Sequence, residues 1–252
     1  MEVHHHSHHP QKWKEYFSEF LMLFFAVFLG FMSEYYLEYR AERHKEHDYL
    51  VSMAEDLKAD TAEIGAKSIA MNELMFAGNK LTQLAYKKTW TDTDIDTIYL
   101  NSIYLVTRLV TLNFTSGTID QLKNAGGFRL IRNNEIVKKI TDYEKGKNTI
   151  KVQQDALSEK WNNVHKIQNG LLHLNVFAAT GKLGQVEYNK GMLDEIARIT
   201  GSKFLKKDRT SFYEYSNYIN VMKGYVTFYH NMAMIQKQKA VDLIQILEKE
   251  IH

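Results

Sequence analysis

Phe20-Leu-Met-Leu-Phe-Phe-Ala-Val-Phe-Leu-Gly-Phe-Met32 is thirteen consecutive residues without a charge. Alone, that run is short for a membrane span. Extended to the aromatics on either side, from Tyr16 to Tyr36, it becomes 21 residues, roughly 30 Å of helix at about 1.5 Å per residue, the thickness of a bilayer core. Trp13, Tyr16 and Phe17 stand at one end and Tyr35, Tyr36 and Tyr39 at the other, where amphipathic rings settle at the headgroup level. Residues 13–40 therefore read as a transmembrane helix with interfacial flanks. A buried core helix is the rival reading. A signal peptide fits less well, because bulky Tyr35 and Tyr36 follow where cleavage wants small residues.

Within the span, Glu19, Leu23, Ala26, Gly30 and Ser33 fall within about 40° on either side of Glu19 at 100° per residue. Ala26 and Gly30 form a small-x-x-x-small pair, which lets helix backbones approach closely in lipid. Self-association into a homo-oligomer is the natural expectation. Glu19 is then a candidate for a pore axis, holding a proton or cation. The plainer alternative is that Glu19 and Glu34, each close to an end, reach headgroup water.

Ahead of the span, residues 1–12 carry His4, His5, His6, His8 and His9. Neutral imidazoles in such number can ligate a divalent transition metal, most tightly where several chains bring their termini together. A purification tag or a solvated terminus are the competing accounts. His44, His47 and Asp48 share a helix face, but within Glu42-Arg-His-Lys-Glu-His-Asp48 they read as a charged, solvated surface.

Beyond the span, residues 41–252 predict a soluble helical bundle. One proline and 13 glycines in 252 residues leave little punctuation for hairpins and permit very long helices. Leu50, Met53, Leu57, Ile64, Met71, Leu74, Leu81 and Ala85 keep three- and four-residue steps, with breaks at Asp60, Lys67 and Gly78, so the anchor should continue to about residue 88. A shorter helix is expected over 94–112. Its opening, Thr91-Asp-Thr-Asp-Ile-Asp96, imitates a calcium loop but has Thr97 where glycine belongs and Ile103 where glutamate belongs. Capping explains it better.

A third helix is placed at 133–178, opened by Asn133 or Asn134, with a heptad seam interrupted at Lys147, Gln154 and Gln168. The last is the cleanest. Phe212, Tyr215, Ile219, Met222, Val226, Tyr229, Ala233, Gln236, Ala240, Leu243 and Leu247 hold successive a/d positions, and Ser211-x-x-Glu214 suggests a capping box. Such helices laid antiparallel make an all-α bundle, while a coiled-coil oligomer is the other use of the same seams.

Catalytic constellations are sparse. Zero cysteines exclude thiolate metal sites, iron–sulfur clusters and a cysteine nucleophile. A net charge of +2 gives no electrostatic footprint for nucleic acid. Gly126-Gly-Phe-Arg-Leu-Ile-Arg132 lacks the lysine and hydroxyl of a phosphate loop and is expected to turn the chain. Asp120, Arg129 and Arg132 are weak anion candidates, and His165 and His173 are expected to share a helix face without a nucleophile beside them.

The histidine cluster with the stretch from Trp13 to Phe31, and the segment Thr118 to Asn133 with its Gln121-Leu-Lys and Arg129-Leu-Ile, followed by Tyr143, resemble a family of uncharacterised single-pass membrane proteins of Bacteroidota. The resemblance implies native histidines and assigns no activity.

Lys12 and Lys14 precede the span and Arg40, Arg43 and Lys45 follow it, a small bias that long domains override. The expectation is a bacterial inner-membrane protein with a periplasmic C-terminal domain. It serves as a self-associating scaffold or accessory subunit, with the bilayer and a second membrane protein as partners and no enzymatic role. The alternatives are an oligomeric ion or metal conduit built on Glu19 and the histidines, and a ligand-sensing bundle.

Overall fold

A computed structural model describes residues 13–124, 126–173 and 202–251. Among them the chain is all-helical. Helix α1 spans Trp13–Ala85, α2 Asp92–Thr107, α3 Gly117–Asn124, α4 Asn134–Asn169 and α5 Arg209–Ile251, with a single 3-10 turn at Gly127–Leu130.

Seventy-three residues of α1 run without a break, roughly 110 Å at about 1.5 Å per residue. Its two halves differ in character. From Trp13 to Arg40 every residue is exposed except the half-buried Leu21; this is the one helix among the described residues long and apolar enough to cross a membrane. From Glu46 onward the polar–apolar alternation takes over, and Leu50, Met53, Leu57, Ile64, Met71, Leu74 and Leu81 are buried. No proline or glycine lies between residues 31 and 64, so the apolar half and the packed half are one continuous helix without a kink-forming residue at the join.

Around the packed half of α1 the other helices form an antiparallel bundle. Helix α5 runs against α1, as Lys58 paired with Glu248 (2.8 Å) and Ser68 with His230 (2.7 Å) show. It also runs against α4, where Asn133 donates to Glu250 (2.9 Å) at one end and Tyr215 to Gln168 (3.1 Å) at the other. The fourth side is composite. Helix α2 covers the end far from the apolar half of α1, and residues 108–116, α3 and the 3-10 turn cover the near end. At Gly78 of α1 the side chains of α5 pack directly over the backbone: a Cβ there would sit 2.8 Å from Lys223 Cδ and 3.3 Å from Ile219 Cγ2.

The termini of the elements follow local chemistry. Thr91 caps α2 through a reciprocal box with Asp94, and the Lys87 ammonium together with the Thr91 backbone amide holds the Asp94 carboxyl down to about 2. Asn133 caps α4 by accepting from the Glu135 amide at 3.0 Å. Gly126, at φ 62°, makes the left-handed turn into the 3-10 segment.

Three helices differ in their bounds from the sequence expectation. Helix α2 opens at Asp92, next to its Thr91 cap, and ends at Thr107, short of the expected 112. Helix α4 ends at Asn169 with Gly170 as cap, short of residue 178, because Leu171 and His173 instead exchange backbone hydrogen bonds with Lys203 and Leu205. His165 and His173 consequently share no helix face: His165 packs edge-on against Trp161, while the His173 carbonyl accepts from Tyr99. Helix α5 is capped three residues before the expected position and starts at Arg209. Asp208, not Ser211, closes its first turn, its carboxylate accepting from the Ser211 amide and hydroxyl, both at 2.9 Å.

Candidate functional site

The apolar half of α1 presents Glu19, Leu23, Ala26, Gly30 and Ser33 on exposed surface. Nothing lies within 4 Å of a Cβ built on Gly30, so the chain itself leaves space there for another backbone. His4, His5, His6, His8 and His9 lie outside the described residues. His44 and Asp48 meet only at 3.6 Å, both side chains well exposed, and among the described residues no group of three or more metal-ligating side chains converges.

Where the apolar half of α1 meets the bundle, Arg132 stacks on Tyr39. Its guanidinium lies 4.5 Å from the ring centroid and donates to the phenol at 3.0 Å. The Arg132 amide donates to Glu46 (2.8 Å), which also pairs with Arg43. The glycine-rich turn is thereby tied to the exit of the apolar segment, and Arg132 is committed to Tyr39 rather than to an anion shared with Asp120 and Arg129.

Deeper in the bundle, the breaks in the seams become its polar layer. Asp60 is 1% exposed. Its Oδ1 accepts from the Thr115 amide (2.7 Å) and hydroxyl (2.9 Å), and its Oδ2 from the Tyr143 phenol (2.8 Å). Burial, and then the neighbouring Asp60 charge, push the Tyr143 phenol far above its ordinary range. Gln236 donates to the Tyr143 carbonyl (2.8 Å). Lys147 donates to the Thr115 carbonyl and pairs with Glu144, both at 2.6 Å. This layer separates a core cluster around Leu50, Leu57, Ile140 and Leu243 from a larger one around Ile64, Met71, Tyr99 and Met222. Gln154 extends it by accepting from Tyr229 (2.7 Å) and the Leu112 amide (3.0 Å). A buried polar group costs about 1–3 kcal/mol when left without a partner, and each of these has one, so the layer fixes register among α1, α4, α5 and the 108–116 segment.

The seam residues Phe212, Tyr215, Ile219, Met222, Val226, Tyr229, Leu243 and Leu247 are all buried within the single chain. They are occupied by α1 and α4 and are not left over for a second copy. Between α1 and α2 an open cleft of about 580 Å³ is lined by Ile69, Phe76 and Tyr104 with Asn72, Glu73 and Arg108. Tyr104 donates to Glu73, and Arg108 lies 4.6 Å over the Tyr104 ring.

Sequence reading took Asp60, Gln154 and Gln236 only as interruptions, since a one-dimensional pattern does not show which polar breaks will face one another. It also missed an exposed apolar stripe on α5, whose signal is the seam's own periodicity displaced by one residue. No protein-family model matches the chain, and neither the curated proteins nor the solved structures include one with significant similarity to it.

Proposed function

We propose that this chain is a membrane-anchored helical scaffold or accessory protein of the bacterial inner membrane, which self-associates and works by holding partners in place rather than by catalysis. The observation that carries the reading is the continuity of α1, whose exposed apolar half passes into the bundle core without a hinge. A lipid-facing anchor and a packed domain joined by one rigid helix transmit position faithfully. The Arg132–Tyr39 contact braces the junction, and the satisfied polar layer favours a stiff bundle over one that opens. The periplasmic side suits an uncleaved N-terminal anchor followed by a long domain. The likeness to uncharacterised single-pass proteins, carried by the motif residues alone, agrees with this. Crosslinking of the full chain in native membranes should capture a discrete homo-oligomer or a defined partner; a monomer with neither overturns the proposal.

The cleft between α1 and α2 favours ligand sensing as a second reading, because an apolar wall with a few charged groups at its rim is the usual make-up of a small-molecule site. A thermal-shift screen of the detergent-held chain, repeated on Phe76→Asp, tests it. A response lost in the variant supports sensing, and a uniformly flat response removes it.

A further inference from the structure

Helix α5 carries two apolar stripes. The first is the buried seam. The second, Tyr218, Val221, Tyr225, Phe228, Met232 and Ile235, repeats the same 3-4-3-4-3 spacing one residue earlier, about 100° around the helix. Tyr225 and Met232 lean against the core cluster, whereas Val221, Phe228 and Ile235 are 53%, 54% and 61% exposed. Along the stripe itself the helix surface is uncharged: every exposed residue of α5 from Asn217 to Gln238 is neutral, and the exposed charges in the same register, Glu214 and Lys239, stand one step beyond its two ends. The two lysines and the histidine in that stretch point toward α1, with Lys223 over Gly78, Lys237 beside Gly65 and His230 bonded to Ser68. Beside the middle of the stripe, Lys160 of α4 lies over the Tyr225 ring and is paired with Glu159 at 2.8 Å. By contrast, α4 exposes Glu135, Lys138, Asp142 and Lys145, and α1 exposes Glu55 and Lys58.

We infer that this face of α5 is the contact between two copies of the chain standing side by side in one bilayer. The inference rests on the reading that α1 is a membrane anchor. Two anchored copies share one orientation, so a closed pair is related by a two-fold axis along the membrane normal. Each residue near that axis then meets its own counterpart, and a charge anywhere on the face would meet itself at the same height. A strip without charge between Glu214 and Lys239 satisfies that condition over the length of the contact, whereas a partner of different sequence would place no such demand. Heptad spacing of the apolar residues suits parallel packing of the two α5 helices, and aromatic and methionine enrichment with loss of charge is the composition of interface centres. The strip is roughly 25 Å long and about 10 Å wide, well below the roughly 800 Å² per partner of a stable soluble complex. Confinement in the membrane supplies the missing effective concentration.

The chain has no cysteine, so single cysteines report directly. In native membranes, full-length Val221→Cys and Phe228→Cys should each form a disulfide-linked dimer on oxidation, while Glu55→Cys on α1 and Lys151→Cys, which faces the 112–116 segment, should not. Val221→Glu, a solvent-exposed change, should abolish the Phe228→Cys crosslink and leave the thermal unfolding midpoint within about 2 °C. Dimers trapped only by Ala26→Cys in the apolar half of α1 would overturn this interface while leaving self-association intact. No dimer from any position would overturn both.

Discussion

Tyr143 and Asp60, 83 residues apart in the chain, meet in the middle of the bundle with the phenol donating to the carboxylate at 2.8 Å. That bond joins α4 to α1 at the level where the hydrophobic core is divided, and it gives the bundle a fixed register. Tyr143→Phe leaves a buried carboxylate oxygen short of its donor and should cost about 1–3 kcal/mol of stability. Asp60→Ala strands the Thr115 amide and hydroxyl as well, so it should cost more. The double variant should fall short of the sum, as coupled residues do. Denaturant unfolding of the detergent-held chain, followed by far-UV dichroism, checks all three values; additive losses would contradict a shared layer.

The same substitution at two glycines should act in opposite directions. A Cβ at Gly146 would lie 2.0 Å from Gln236 Oε1, whereas Gly224 has nothing within 4 Å. Gly224→Ala should gain up to about 1 kcal/mol from helix propensity. Gly146→Ala should lose stability despite the same propensity gain, because Gln236 is driven off the Tyr143 carbonyl. Adding Gln236→Ala to Gly146→Ala should recover part of the loss. Equal unfolding midpoints for the two glycine variants would refute the steric reading.

Asp208→Ala removes the cap of α5 and should cost about 1 kcal/mol, in the range of other N-cap deletions. Glu214→Ala, one turn inside, should change stability by less than about 0.5 kcal/mol. A larger effect at Glu214 than at Asp208 would restore Ser211 as the start of the helix.

Alkaline pH should loosen the fold through its tyrosines. Burial pushes the phenols of Tyr99 and Tyr229 up to about 12, and in an unfolded chain they ionise near 10. Because the folded state keeps the neutral phenols, their contribution is whole below pH 10 and is lost as pH rises from there through 12. Unfolding midpoints measured from pH 9 to 12 should fall over that interval, with the 295 nm absorbance of the buried phenols rising only as the chain unfolds. Phenolate absorbance from Tyr99 and Tyr229, isolated with the Phe variants, appearing at pH 10 in the folded protein would contradict this.

Much of the architecture was legible because hydrophobic spacing survives into three dimensions. The eleven seam positions from Phe212 to Leu247 are all buried, and the apolar run from Phe20 to Met32 is wholly exposed apart from Leu21. Boundaries were less legible where two signals compete. Ser211 and Asp208 are both good caps, and only the fold shows that Asp208 stands at the first free amides. Gly170 ends α4 although apolar residues continue at Leu171 and Leu172, since the backbone there finds partners at Lys203 and Leu205. The polar layer was least legible. Asp60, Thr115, Tyr143, Lys147 and Gln236 come from four separate stretches, and the geometry that makes them one network exists only after the helices pack.

Single cysteines placed along α1 of the otherwise cysteine-free chain offer the most direct measurement, using a membrane-impermeant maleimide on intact spheroplasts. An anchor that crosses the bilayer and continues into a periplasmic bundle predicts no labelling at Leu23, Val27 or Leu29 and strong labelling at His47 and Lys58. Labelling at Val27, or labelling of His47 and Lys58 only after the membrane is opened, would contradict an anchored periplasmic scaffold.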